Sequence, residues 1–144
     1  MGVLLAVHAA ATAAMVGLIW FVQVVHYPLF RRVGVAGFAA YARAHQQRTS
    51  WVVAPLMGAE AATAIALVGA VPAGPVRWLA IGGLALVAVI WFSTLLWQVP
   101  CHRRLLAGYD EAVVRRLVRG NWVRTLAWSC RAVLVFMLAA AVHV

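Results

Sequence analysis

The sequence predicts an all-α integral membrane protein, a bundle of four transmembrane helices forming one domain over residues 1–144. Of these residues 66% are hydrophobic and only 10% are charged, and the mean hydropathy is +0.94. A soluble domain would be roughly half apolar and about a quarter charged. Four apolar segments each approach the ~20 residues that a helix needs to cross the hydrocarbon core. They cover residues 3–27, 51–71, 78–99 and 122–142.

The connections between these segments are short. Pro28 is predicted to end the first segment and Pro100 the third, because proline disrupts a helix that continues through it. A tight turn over residues 72–75 joins the second segment to the third. Residues 31–49 and 101–120 are polar, with apolar residues at helical spacing. They are predicted to be short amphipathic connectors at the membrane surface.

The arginines give the predicted orientation. Nine of the twelve lie in the two connectors, and the turn on the opposite side carries only Arg77. Loops rich in arginine stay in the cytoplasm, so we expect a multi-pass cell (inner) membrane protein with cytoplasmic connectors and both termini outside. This distribution also explains the net charge of +9 without any nucleic-acid partner. The expected partners are the lipid bilayer and a hydrophobic small molecule, and a homo-oligomer is left open.

Two sequence patterns indicate an internal repeat. Pro-x-x-Arg-Arg begins at Pro28 and again at Pro100, in the second half of the chain. A polar residue followed by tryptophan begins two of the apolar segments, at Ser50-Trp51 and at Asn121-Trp122, and these two pairs are separated by almost the same interval as the prolines. The bundle would then consist of two parallel helix-hairpin repeats related by an axis along the membrane normal, as in some transporters.

Glu60 and Arg131 are separated by the same number of residues as Ser50 and Asn121. The repeat would therefore place Glu60 and Arg131 at equal depth in the membrane. A lone charge at the centre of the bilayer costs at least ~2.5–3.5 kcal/mol. Glu60 is the only acidic residue inside an apolar segment. We therefore predict that Glu60 and Arg131 meet directly or through one water.

A polar stripe begins the fourth segment. Asn121, Arg124, Trp128 and Arg131 are spaced i, i+3, i+7 and i+10, so on a helix they fall within about 80° of arc. Polar residues on the other segments lie at similar depth, which predicts a cavity in the cytoplasmic half. Its predicted catalytic residues are His26, Glu60, Asn121 and Arg124. Its predicted substrate-binding residues are Gln23, Thr94, Gln98, Thr125, Trp128 and Arg131.

Each predicted role follows from side-chain chemistry. Arg124 and Asn121 would hold a carbonyl oxygen or an oxyanion, and His26 or Glu60 would move protons. A metal site is a further hypothesis, with His26, Glu60 and His102 as its ligands. A haem held through His26 is another, since histidine is a common axial ligand. The cofactor is thus left open between a haem, a transition metal and none.

The C-terminal half resembles a known family. Val99-Pro100, His102, Leu105 and the run Asn121-x-x-Arg124-Thr125 look like the DUF1772 or anthrone-oxygenase-like family of small four-helix membrane proteins. Pro100, Asn121, Arg124 and Thr125 match that pattern, whereas His102 stands where the family has asparagine. The resemblance implies oxidation of a hydrophobic, often aromatic substrate.

Three functional hypotheses follow. The first is an oxygenase-like membrane oxidoreductase that acts on a lipophilic substrate in the polar cavity. The second is a small transporter or channel in which Glu60 and Arg131 form a charged gate near the midplane. The third is a membrane scaffold subunit whose second segment, rich in Ala and Gly, packs against a partner.

Overall fold

The structure is a computed structural model that describes residues 1–142. Its four long helices are α1 (Gly2–Arg32), α2 (Phe38–Ala70), α3 (Pro75–Leu105) and α4 (Glu111–Val142). Each is long and apolar enough to cross a membrane. The predicted all-α bundle of four transmembrane helices is therefore confirmed.

The helices run alternately up and down, and each packs against two neighbours. α1 contacts α2 and α4, and α3 also contacts α2 and α4. Going round the bundle, the order is α1, α2, α3, α4, as in other four-helix bundles with short connections. Consequently α2 and α4 face each other diagonally across the central axis. The C-terminal ends of α1 and α3 and the N-terminal ends of α2 and α4 form one end of the bundle, here called the arginine-rich end.

The prediction that the connectors are separate surface helices was wrong. Residues 38–50 form the first turns of α2, and residues 111–121 form those of α4, without a break at the start of the apolar segments. Between Phe38 and Trp51 there is no proline or glycine, so nothing in the chain interrupts the helix at the membrane surface. The true connections are only residues 33–37 and 106–110.

The start of α4 was predicted correctly at Asp110. Its carboxylate Oδ1 accepts hydrogen bonds from the backbone N–H groups of Ala112, at 2.8 Å, and Val113, at 3.1 Å. An aspartate in this position satisfies N–H groups that otherwise have no partner in the first turn. The apolar side of these turns packs into a buried cluster with the start of α2 and the ends of α1 and α3. The arginine-rich end is thus closed by a hydrophobic layer.

The two helices that contain Pro28 and Pro100 do not stop there, contrary to prediction. Both continue for another turn, and a π-helical segment ends two residues before each proline, over Val22–His26 and over Thr94–Gln98. A π turn is wider than an α turn and carries an i→i+5 bond. The residue before each proline makes such a bond: Tyr27 N–H donates to the Val22 carbonyl, and Val99 N–H donates to that of Thr94.

The two π segments are separated by the same interval as the two prolines. The arrangement of helices fits the same relation, since exchanging α1 with α3 and α2 with α4 reproduces the observed neighbours. Both observations support the predicted internal repeat.

The repeat is broken at the two seams between the hairpins. At the α1–α4 seam, Trp20 Nε1 donates to Ser129 Oγ at 3.1 Å, and its ring meets Trp122 edge-on with centroids 5.7 Å apart. Gly58 is the counterpart of Ser129 on the α2–α3 seam, because it precedes Ser129 by the same number of residues as Glu60 precedes Arg131. Glycine has no side chain, so it cannot make the corresponding hydrogen bond. The α1–α4 seam is bridged by side chains, and the α2–α3 seam is where the cavities described below open.

Candidate functional site

The arginine-rich half of the bundle contains a cavity of about 220 Å³, here called the polar cavity. All four helices contribute to its wall, and most of that wall is apolar. Its polar lining residues are Tyr27, His45, Gln46, Thr49, Ser50, Thr94, Gln98, His102 and Arg124. Ser50 and Ala54 on α2 and Trp91 on α3 line it and are exposed, so the polar cavity opens laterally between α2 and α3. A mostly apolar cavity with a few convergent polar groups is the usual form of a small-molecule site.

Gln98 and Arg124, which both line this cavity, contain buried hydrogen-bonding groups without a partner. Gln98 is 1% exposed, and neither its Nε2 nor its Oε1 has a partner among the described residues. Arg124 is 6% exposed, and its Nε is likewise unpaired. Each buried polar group without a partner costs about 1–3 kcal/mol. A ligand or an ordered water in the cavity would supply the missing partners.

Arg124 also lacks an anion. Its Nη1 donates to Asn121 Oδ1 at 3.3 Å, and its guanidinium lies 5.3 Å from the centroid of the Trp128 ring. Within residues 1–142 the structure has only two salt bridges, and Arg124 takes part in neither. A buried cation without a carboxylate favours a ligand that carries a negative or strongly polarised oxygen.

A hydrogen-bonded network behind the cavity wall fixes Asn121. Gln23 Oε1 accepts from Asn121 Nδ2 at 2.9 Å and from Thr125 Oγ1 at 3.4 Å, while Gln23 Nε2 donates to the Val118 carbonyl at 3.2 Å. With its Nδ2 held in this way, Asn121 presents Oδ1 to Arg124. Gln23, Asn121 and Thr125 therefore position Arg124 from outside the cavity.

Three histidines form a cluster beside Arg124. His26 Nε2 and His45 Nδ1 are 2.8 Å apart, and Thr49 Oγ1 is 3.1 Å from the same His45 nitrogen. The rings of His45 and His102 have centroids 5.4 Å apart, and Tyr27 Oη lies 3.0 Å from His102 Nε2. His45 and His102 line the polar cavity, whereas His26 is half-buried on its outer side. The His45–His26 hydrogen bond thus leads from the cavity toward the surface.

The predicted contact between Glu60 and Arg131 is confirmed. Arg131 Nη2 lies 3.3 Å from Glu60 Oε1, and both side chains are almost fully buried. Trp128 Nε1 donates to Glu60 Oε2 at 2.6 Å, and Arg131 Nη1 donates to the Gly83 carbonyl. Each carboxylate oxygen therefore has a donor, which a buried ion pair needs to be stable.

His8 completes this central cluster and is neutral by its hydrogen bonds. Its Nε2 lies 3.4 Å from Arg131 Nη2, which can only donate. Its Nδ1 therefore carries the proton and donates to Thr63 Oγ1 at 2.7 Å. Thr63 in turn donates to the Ala59 carbonyl at 2.6 Å.

The structure divides the predicted site residues into three groups. Thr94, Gln98 and Arg124 line the polar cavity, together with His102. The second group stands behind its wall and consists of Gln23, His26, Asn121, Thr125 and Trp128. Glu60 and Arg131 belong to the separate central cluster. The prediction that His26, Gln98, Asn121 and Arg124 all face one cavity was wrong for His26 and Asn121, because His45 and Arg124 stand between them and the space.

Five polar residues of the cavity lining were not among the predicted site residues: Tyr27, His45, Gln46, Thr49 and Ser50. The sequence did carry a signal for His45, since Phe38, Tyr41 and His45 recur at helical spacing. On its own, that spacing predicts the buried side of a surface connector. Because α2 is unbroken, the same face continues into the bundle and brings His45 and Thr49 to the cavity.

The predicted metal ligands are not brought together. Glu60 is bound by Arg131 and Trp128, whereas His26 and His102 belong to the histidine cluster. Over residues 1–142 there is no group of three or more histidine, cysteine or acidic side chains that could hold a metal ion. A haem does not fit between the histidines either, because His26 and His45 are in direct contact with ring centroids 4.5 Å apart.

No protein-family model matches the chain, and comparison with curated proteins and with solved structures finds no match either. The resemblance to anthrone-oxygenase-like proteins therefore stays a prediction.

Proposed function

We propose that this chain is a membrane enzyme that binds a lipophilic molecule with a carbonyl or phenolic oxygen in the polar cavity and oxidises it in an oxygenase-like reaction. The observation that carries the proposal is that Gln98, whose amide has no partner, and Arg124, whose guanidinium has no anion and whose Nε has no partner, line the same mostly apolar cavity. A carbonyl oxygen or a phenolate can accept hydrogen bonds from both.

The size and position of the cavity suit such a substrate. Its volume of about 220 Å³ exceeds the ~150 Å³ of an engineered cavity that binds benzene. Its lateral opening between α2 and α3 lets a molecule dissolved in the bilayer enter without crossing water. The expected substrate therefore carries a small aromatic or enolisable group and partitions into lipid.

His45 is the base in this proposal. In the tautomer with the proton on Nδ1, His45 donates to His26 Nε2, and its own Nε2 is free to take a proton from the substrate. The Nδ1 proton can then pass to His26, which is half-buried and releases it toward the surface. Arg124 and Gln98 stabilise the oxygen that becomes negative as the proton leaves.

Dioxygen is the oxidant that an oxygenase-like reaction would use. An enolate or phenolate is electron-rich, and dioxygen dissolves well in the bilayer interior. For anthrone, the overall reaction consumes one dioxygen and yields the anthraquinone and one water. The chain's own residues supply binding, deprotonation and stabilisation of the oxyanion.

The transporter hypothesis has less support. Both oxygens of Glu60 are occupied by donors, and Arg131 is 0% exposed. The void lined by His8 and Gly83 beside this cluster measures about 10 Å³, about enough for one water. A charged gate would need a wider path next to the pair.

The test is dioxygen uptake by the purified protein in lipid nanodiscs with anthrone as the probe. We expect uptake well above the autoxidation rate, with formation of anthraquinone. Arg124→Gln should lower the rate by about 10²–10³-fold, the usual effect of losing one oxyanion donor. Arg119→Gln is the matched control, because Arg119 lies on the same helix but is exposed, and its rate should stay within twofold.

Two results would contradict the proposal. If wild-type protein binds anthrone without accelerating oxidation, the oxygenase-like reaction is wrong. If anthrone and simple phenols do not bind at all, the polar cavity is not the site proposed here. An absorption spectrum of the same sample checks the haem hypothesis, since a haem protein would show a Soret band.

A further inference from the structure

A second cavity lies on the same seam as the polar cavity. It is an apolar groove of about 370 Å³ between α2 and α3, here called the seam groove. Every residue that lines it is apolar, and two of them are small, namely Ala61 on α2 and Ala88 on α3. Val87 at its base is buried, while Ile65 at its edge is largely exposed. The seam groove therefore faces the hydrocarbon of the bilayer.

The two cavities adjoin at Trp91, which lines both. On α3 the lining runs from Gln98 and Thr94 in the polar cavity through Trp91 to Val87 and Leu84 in the seam groove. The stretch of α3 from Gln98 back to Leu84 corresponds to roughly 21 Å of helix rise. The half-thickness of the hydrocarbon core is about 15 Å, so the lining is long enough to follow a membrane-embedded chain past the middle of the bilayer.

We infer that the substrate is a single-tailed amphiphile, whose carbonyl or phenolic head occupies the polar cavity and whose hydrocarbon chain lies in the seam groove. The inference rests on the proposed function and extends it from the head group to the whole molecule. Three observations support it. The groove and the cavity lie on the same seam and share Trp91 in their linings, the groove lining is entirely apolar, and two of its residues, Ala61 and Ala88, are small.

This arrangement distinguishes a bound substrate chain from ordinary bilayer lipid. A phospholipid tail could also lie in the seam groove, but its head would remain at the membrane surface. A chain whose head is bound in the polar cavity is instead kept beside the seam groove. Extending the chain should therefore increase affinity beyond its general preference for lipid.

The test uses 4-ethylphenol and 4-dodecylphenol as probes, with the protein in lipid nanodiscs. Binding is measured by titration calorimetry, and free probe is expressed as a mole fraction in the lipid, which removes the effect of partitioning. We expect 4-dodecylphenol to bind at least tenfold more tightly than 4-ethylphenol on this scale. A 4-dodecylphenol with a diazirine at the end of its chain should label the peptide that contains Leu84 and Ala88.

A matched pair of variants separates the groove from general effects on the helix. Ala88→Phe fills the seam groove, whereas Ala85→Phe adds the same ring to an exposed position of α3 outside the groove. Ala88→Phe should remove the gain from the long chain and leave 4-ethylphenol affinity within twofold. Ala85→Phe should change neither value.

The outcomes are distinguishable. If 4-ethylphenol binds and the long chain adds nothing on the mole-fraction scale, the seam groove holds only bilayer lipid and the inference fails while the proposed function stands. Equal effects of the two phenylalanine variants would also overturn the inference. If neither phenol binds, both the proposed function and the inference fail.

Discussion

Glu60 and Arg131 meet across the bundle axis, with Oε1 and Nη2 3.3 Å apart, from helices that are diagonal neighbours. Glu60 and Arg131 are also separated in the chain by the interval at which the predicted repeat relates α2 to α4. Residues related by a twofold axis can touch only close to that axis. The predicted repeat would therefore place the axis at this ion pair, which joins the two hairpins.

Removing one member of this pair should be more harmful than removing both. Glu60→Gln leaves the Arg131 charge buried, and Arg131→Gln leaves the carboxylate buried, each at a cost of about 3–5 kcal/mol in unfolding free energy. The double variant should lose less than the sum. Reversible unfolding in detergent measures the cycle. Glu111→Gln serves as the control because its pair with Arg115 is exposed and contributes about 0–1 kcal/mol. Additive losses at Glu60 and Arg131 would show that the two side chains do not interact.

Replacing Gln98 and replacing Gln23 should have opposite effects on the stability of the protein. Gln98→Leu should leave the ligand-free protein equally stable or stabilise it by about 1–3 kcal/mol, because it removes a buried amide without partners. Gln23→Leu should destabilise, since it leaves Asn121 Nδ2 without its acceptor. Thermal unfolding of both variants without added ligand tests the pair, and binding of 4-ethylphenol should be weakened at least tenfold by Gln98→Leu. A strong loss of stability in Gln98→Leu would mean that its amide has a structural partner.

Trp128 connects the polar cavity with the central cluster. Its Nε1 donates to Glu60 and its ring faces Arg124. Trp128→Phe should cost about 1–3 kcal/mol, because the second Glu60 oxygen loses its donor while a ring remains for Arg124. Unfolding in detergent measures this loss. Dioxygen uptake with anthrone should fall less in Trp128→Phe than in Trp128→Leu, which also removes the ring; equal activity in the two variants would argue against a role for the ring in placing Arg124.

Gly120 is predicted to be intolerant of any side chain. A Cβ at this position would overlap the indole of Trp97, whose Nε1 donates to the Arg116 carbonyl at 3.2 Å. Gly120→Ala should therefore destabilise by about 1–3 kcal/mol. Gly82→Ala is the control, because its Cβ would stand 3.6 Å from Leu134 Cδ1, and it should gain up to about 1 kcal/mol from helix propensity. Thermal unfolding measures both. A stable Gly120→Ala variant would show that Trp97 can leave its position at low cost.

The orientation predicted from the arginines can be tested with single cysteines. In a background with Cys101 and Cys130 replaced by serine, Arg43→Cys should resist a membrane-impermeant maleimide added to intact cells. Ala73→Cys, in the turn at the opposite end, should react. The reverse pattern would place the arginine-rich end outside.

Much of this fold could be predicted from hydropathy alone, because the need to bury backbone polar groups in lipid leaves few alternatives to four helices. The Glu60–Arg131 contact could also be predicted, since a buried charge needs a partner and the chain offers only one acid at that depth. Both predictions rest on the high cost of charge and of unpaired backbone groups in hydrocarbon, which overrides local detail.

What could not be predicted depends on local geometry. The π segments before Pro28 and Pro100 have no signature in residue type, so the continuation of both helices past these prolines was not foreseen. His45 was placed at the membrane surface because polar composition does not reveal that α2 is unbroken. The side of Asn121 that faces Arg124 depends on Gln23, which is distant in the chain and lies on another helix, and no spacing within one helix contains that information.

The closed α1–α4 seam, with Trp20, Trp122 and Ser129 in contact, gives the molecule a front and a back. Molecules in the surrounding lipid reach the polar cavity through its opening on the α2–α3 side. A neighbouring protein that packs against the α1–α4 side would leave the opening of the polar cavity free. One that packs against the α2–α3 side would cover the opening and retain the proposed ligand. The proteins packed against the α2–α3 side would therefore set how quickly the proposed ligand exchanges with the bilayer.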